Sequence, residues 1–242
     1  MRRLVFWARA ATAVVLVAAG AGCGGTTNLE PVEYALTARS LSGATFTAGG
    51  WEVALTDARL GFGPLYLCAS LSASPELCAT AVAELADTAT IDLGSTAATN
   101  VGRVRGISDT VHTALYDYGI TWRAGNAPVA ASGAPEGHAL VMRGSAQSSA
   151  ASVVFEILLD VAPQQPASYA ALARIPEQRQ SNDIRLELVV DPSLWLTGVD
   201  FAALAALGQP VVSIRLADPA GSVVATALTS TARPTFTWID AP

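Results

Sequence analysis

Lysine is absent from this chain: all 14 of its basic residues are arginine. That removes chemistry needing a side-chain amine, whether a Schiff base, a Walker phosphate loop or a Ser–Lys dyad. Histidine occurs only as His112 and His138, and cysteine only as Cys23, Cys68 and Cys78. No Gly-x-Ser-x-Gly elbow is present, and no His-Glu-x-x-His, so neither a nucleophile-elbow serine hydrolase nor that type of zinc hydrolase is encoded. Charge is sparse at 14%, and the net charge of −6 cannot supply the basic face that binding to nucleic acid needs. With 51% hydrophobic residues the chain can bury a full core.

What is there begins with an address. Arg2 and Arg3 open the chain, an apolar stretch runs from Ala10 to Ala19 after Arg9, and the small residues Gly20, Ala21 and Gly22 lead into Cys23. That order is a secretory signal peptide over residues 1–22. A spanning helix wants about 20 unbroken apolar residues, and Arg9 breaks this run early.

Gly20-Ala21-Gly22-Cys23 resembles the lipobox of bacterial lipoproteins, although the aliphatic residue usual three places before the Cys is Gly20 here. The resemblance implies cleavage before Cys23 and attachment of acyl chains such as palmitate to it, giving a membrane-tethered protein. Gly24, where inner-membrane retention favours Asp, implies the outer membrane, with the domain periplasmic or displayed at the surface. The competing processing route is ordinary cleavage near Ala21. Loss of residues 1–22 removes Arg2, Arg3 and Arg9 and no acid, leaving 11 Arg against 20 acids, a net charge of −9. A partner recognised by charge is then cationic.

With Cys23 assigned to lipid, Cys68 and Cys78 remain as an even pair in an exported protein and are expected to form a disulfide. Closing so short a loop contributes about 2.7 kcal/mol in the chain-entropy description. The two cysteines match no zinc-site spacing.

Residues 23–31 read as a short polar tether and 32–242 as a single domain. Its dominant signal is period-two alternation: Trp51, Val53 and Leu55; Val153 through Val161; Ile184 through Val190; Val212, Ile214 and Leu216; Phe236 and Trp238. Two segments have helix signals, one capped at Ser74-Pro75-Glu76 with Leu77, Ala81 and Leu85 at helical spacing, the other capped by Asp200 and stopped by Gly208. Asp218-Pro219-Ala220-Gly221 reads as a hairpin turn. Gly61-Phe62-Gly63-Pro64 reads as a bulge or turn rather than a phosphate loop, since no Lys follows it. The expected fold is all-β, an antiparallel β-sandwich with one or two short helices.

Candidate chemistry is thin. If Thr110 to Thr121 is a strand, His112, Tyr116 and Tyr118 share a face opposite Asp117. Pairing of that strand with His138 to Ala146 would bring His112 and His138 together, with Glu136 nearby, as a metal site. Asp109, Asp117, Asp160 and Asp191 are scattered, and Trp51, Trp122, Trp195 and Trp238 read as core residues rather than a sugar platform. The leading expectation is a non-enzymatic, membrane-anchored lipoprotein whose sandwich binds a partner or serves a structural role, with no cofactor. The alternative is an exported metal- or small-ligand-binding protein using His112 and His138.

Overall fold

The computed structural model describes residues 29–70, 81–121, 128–161 and 171–241. In chain order its strands begin with β1 (Pro31–Ser40), β2 (Thr45–Ala48), β3 (Trp51–Phe62), β4 (Leu65–Cys68), β5 (Ala81–Leu85), β6 (Ala89–Asp92), β7 (Thr99–Ile107) and β8 (Thr110–Tyr116). They continue as β9 (Ile120–Thr121), β10 (Val129–Ala130), β11 (Leu140–Gln147), β12 (Ser152–Leu159), β13 (Ala171–Arg179), β14 (Ile184–Val190), β15 (Val212–Ile214) and β16 (Thr235–Asp240). Three short helices, α1 (Pro192–Leu196), α2 (Phe201–Ala206) and α3 (Pro219–Thr226), lie between β14 and β16.

The fold is all-β, as the alternation implies. One sheet has eight strands in the order β13-β8-β4-β5-β7-β1-β14-β16, and the second runs β15-β12-β11-β3-β2 with β6 also paired to β3. Alternate residues of each strand point inward. Val32, Tyr34, Leu36 and Ala38 of β1, and Val153, Phe155, Ile157 and Leu159 of β12, enter one continuous buried cluster that both sheets share. The edge strands β13 and β16 of the larger sheet lie against each other, and the Trp238 indole N–H donates to the Pro176 carbonyl at 2.8 Å, so this sheet curls nearly into a barrel.

Two pairings depart from a purely antiparallel sandwich. β1 runs parallel to β14, and β12 parallel to β15. A parallel pair needs a long crossover, and the chain between β12 and β15 supplies one, passing through β13, β14, α1 and α2.

The helices fill the open side of the sandwich. Asp200 caps α2 by accepting from the Ala203 N–H at 2.9 Å, and Gly208 follows with φ 62°, as the cap and stop signals imply. Phe201, the first residue of α2, packs its ring 5.6 Å from Phe155 and 5.7 Å from Trp51. Trp195 of α1 is fully buried and its indole N–H donates to the Ala232 carbonyl at 2.8 Å. Trp51 and Trp238 are partly buried against the core, while Trp122 lies outside the described residues.

Two local expectations fail. Asp218-Pro219-Ala220-Gly221 does not turn a hairpin: it opens α3, with Pro219 at a first-turn position where its fixed φ suits a helix. Asp218 accepts from the Arg215 N–H at 2.6 Å, and Val224 and Leu228, four residues apart, both reach the core. The helix proposed after Ser74 is contradicted at its far end, where Ala81 and Leu85 belong to β5. A spacing of four residues fits a helix turn and two strand repeats alike, and Ala83 and Leu85 point inward as strand residues do. Residues 74–80 lie outside the described residues. Gly61 and Phe62 close β3, where they pair with β6, and Gly63-Pro64 alone joins β3 to β4.

Gly221 carries a test of how α3 is seated. A Cβ there would lie 1.9 Å from the Arg215 carbonyl oxygen, so the helix presses directly on the preceding backbone. Ala is the better helix former by about 1 kcal/mol, whereas forcing a methyl into filled space costs about 1–3 kcal/mol. Gly221→Ala is expected to lower the midpoint of chemical denaturation; a rise would mean that α3 does not touch Arg215.

Candidate functional site

The three residues of the expected metal site are not brought together. β8 pairs with β4 and β13 in the larger sheet, whereas β11 pairs with β3 and β12 in the smaller one. His112 therefore sits on β8, with Nδ1 3.6 Å from Glu177 of β13, and His138 sits just before β11 with Nδ1 3.0 Å from Asp160. The intervening chain does not close a hairpin between them because it crosses from one sheet to the other. Tyr116 and Tyr118 do share the inward face, edge to face at 5.5 Å, and Asp117 falls on the opposite parity. Among the described residues no cluster of three His, Cys, Asp or Glu side chains could hold a metal ion. Cys68 is buried at the end of β4, and Cys23 and Cys78 lie outside the described residues.

Glu136 has a different role from the one expected of it. It stands in a single 3-10 turn, Pro135–Gly137, at φ 51°, a conformation that costs a non-glycine residue energy. Both its oxygens accept from Arg143, at 2.8 and 2.7 Å, and Arg59 donates to it as well. Those bonds, Arg143 first and Arg59 second, lower its pKa to about 2. A carboxylate that already accepts three hydrogen bonds from two guanidinium groups would have to give up these contacts to serve as a metal ligand.

The same two arginines organise the outward face of the smaller sheet. Arg143 stands opposite Asp57 of β3 and Glu156 of β12 in the strand register. It donates from Nη1 to Asp57 at 2.8 Å and from Nε to Glu156 at 2.8 Å. Arg59 holds Asp57 in a two-pronged contact at 2.8 and 2.7 Å, and Arg215 reaches Glu156 at 3.5 Å. Three carboxylates and three guanidinium groups thus balance across four segments of chain. Arg59, Arg143, Asp57 and Glu156 were not singled out from the sequence. Arg143 and Glu156 stand on the polar parity of their strands, but Asp57 and Arg59 share the parity of the inward Val53 and Leu55. These two face outward only because of the register shift at Thr56, and only strand pairing makes the four neighbours.

The most perturbed acid is Asp117, directly after β8. Burial pushes its pKa up to about 7, against a bond from the Tyr118 N–H at 3.1 Å that favours the charged form. Its proton exchange has a direct effect on stability.

Two of the surface depressions among the described residues bear on a site. One of about 510 Å³ runs beside β3 and β6 past Asp57, Arg59, Thr90 and Asp92, and its Asp57 is already held by the two arginines. The other, about 480 Å³ and more apolar, lies where the smaller sheet ends at β15. Leu204 and Leu207 wall it from the α2 side, Val223 and Ala220 from α3, and Val212, Ser213 and Ile214 from the strand. Asp200 and Asp218 are its titratable lining groups. Around it cluster exposed apolar side chains: Leu207, Val211, Leu216 and Val223. Nothing in the sequence marked this cleft, because it is made by three elements whose contacts are tertiary.

No family model matches the chain, and no curated protein does. Among solved structures it is similar to MbnP from Methylosinus trichosporium, at 17% identity over 83% of this chain and 88% of that one, with a TM-score of 0.39. Likeness of that degree carries no argument about what this chain does.

The buried Asp117 generates a pH test. Its pKa is about 7 when folded against 3.8 for the ordinary group. The folded state therefore binds the extra proton between those values, and stability falls as pH rises through that window. The effect is absent below about pH 4, complete above about pH 7 and on the order of a few kcal/mol. Asp117→Asn is expected to raise the melting temperature at pH 8 and leave it nearly unchanged at pH 4; an equal shift at both would show that the carboxyl does not titrate in that window.

Proposed function

We propose that this chain is an exported lipoprotein, cleaved before Cys23, acylated there, and held in the outer membrane, whose sandwich acts as a non-enzymatic binding module. The observation that carries the reading is the continuity between anchor and fold. The lipobox-like Gly20-Ala21-Gly22-Cys23 follows a signal sequence, and β1 starts at Pro31, so residues 24–30 are the whole tether. Fully extended, seven residues span about 25 Å. The domain is then confined to the membrane surface, a placement suited to presenting a binding face. Several acyl chains, at about 0.8 kcal/mol per buried methylene, suffice for firm anchoring where one chain does not.

A binding role also accords with how the polar side chains are used. Glu136 is committed to Arg59 and Arg143, and His138 faces Asp160 at the strand start. The apolar cleft beside β15 is a concave surface suited to a partner.

Metabolic labelling with a palmitate analogue tests the anchor. The intact chain is expected to take up label and partition with membranes, and Cys23→Ala to lose both; an unlabelled, soluble wild-type chain would overturn the reading.

The disulfide between Cys68 and Cys78 belongs to the same proposal, since an exported chain meets oxidising conditions. Thiol titration of the denatured, unreduced protein is expected to find neither cysteine free, and two reactive thiols per chain would refute the bond.

A further inference from the structure

We infer that the cleft beside β15 binds an extended segment of a partner polypeptide, which adds as a strand to the open edge of the smaller sheet. The inference rests on the reading of the sandwich as a binding module and gives that module its ligand class.

The geometry of the strand carries the argument. β15 ends the smaller sheet, and among the described residues it pairs only with β12, so its other edge has no strand partner there. Successive side chains of a strand point to opposite faces. A cavity lined by Val212, Ser213 and Ile214 in succession therefore looks onto the edge of β15 rather than onto one of its faces. An edge offers backbone N–H and C=O groups, and an added strand is the ligand shape that satisfies several in series.

The walls specify the side chains. Leu207 and Val223 face the cleft from the helices and are exposed, 56% and 36% accessible. Alternate residues of an added strand would lay apolar groups against them. The charged groups lining the cleft are both acids, Asp200 and Asp218, and the whole chain is acidic. Asp200 accepts from the Ala203 N–H and Asp218 from the Arg215 N–H, neutral partners that leave the charges uncompensated by any base lining the cleft. Two copies of this chain joined edge to edge here would bring four carboxylates together. A segment of alternating apolar residues flanked by Arg or Lys fits instead.

The test uses the full chain carrying Cys23→Ser, which avoids detergent, and a fluorescent peptide, acetyl-Arg-Val-Thr-Val-Thr-Val-Arg-amide, read by anisotropy. Saturable binding is expected, weakened at least tenfold by Leu207→Arg, whose exposed position leaves the melting temperature unchanged. N-methylation of alternate peptide amides should abolish binding in one phase and spare it in the other, since a strand presents one edge to β15. Absence of binding at about 1 mM peptide, a concentration that reveals even weak complexes, would overturn the inference. Equal tolerance of both N-methylated series would overturn strand pairing, and sedimentation showing a dimer that Leu207→Arg dissolves would assign the cleft to a second copy. Palmitate labelling is read independently, so loss of peptide binding with labelling intact refutes this inference alone.

Discussion

Everything in this molecule depends on two sheets sharing one interior. A strand can hide only every second residue, so each sheet has a single greasy face, and burying both faces at once removes far more apolar surface from water than either could alone. Leu36 and Leu186 from the larger sheet and Phe155 and Ile157 from the smaller lie in the same buried cluster. The remaining open side, between the end of the smaller sheet and the curled edge of the larger, would wet that interior. α1, α2 and α3 are there to close it. Phe201, Trp195, Val224 and Leu228 serve as the stoppers, and Tyr118 ties the plug to the larger sheet by donating to the Leu228 carbonyl at 2.8 Å.

The outward face of the smaller sheet follows from the same alternation. With Met142 and Phe155 pointing in, Arg143 and Glu156 must meet solvent, and a bulge at Thr56 turns Asp57 outward to join them although it shares the parity of the inward Val53 and Leu55. Such exposed pairs contribute little singly, but Arg143 is a shared donor for three carboxylates and so fixes three segments relative to each other. Glu136, drawn in from the turn before β11, keeps an unfavourable backbone angle because two guanidinium groups hold its side chain.

How much of this was legible follows from what a single strand can encode. Period-two runs reveal which residues of β3, β12, β14, β15 and β16 face inward, because that is a property of each strand alone. They do not reveal which strand lies beside which. His112 and His138 illustrate the gap: two segments close in sequence, joined by a turn-rich stretch, enter different sheets. Helix signals were readable where a cap and a stop coincide, as at Asp200 and Gly208. They were misread where a local pattern serves two structures. Asp-Pro opens α1 at Asp191-Pro192 and α3 at Asp218-Pro219, but the same pair also suits a turn, and the β-branched Val223-Val224 that follows favours a strand until core packing decides otherwise.

β1 is laid into the larger sheet lengthwise, paired with β7 from Pro31 to Ala38 and with β14 from Leu36 to Ser40. It is an inner strand, hydrogen-bonded on both sides where these ranges overlap. Tension applied through the residues that precede it acts along the strand axis. To slide β1 out, the load must shear many hydrogen bonds together instead of peeling them one after another, and must drag Tyr34 and Leu36 through the packed interior. The end of the fold at which β1 begins is thus also a mechanical grip, able to resist load transmitted through the residues before Pro31.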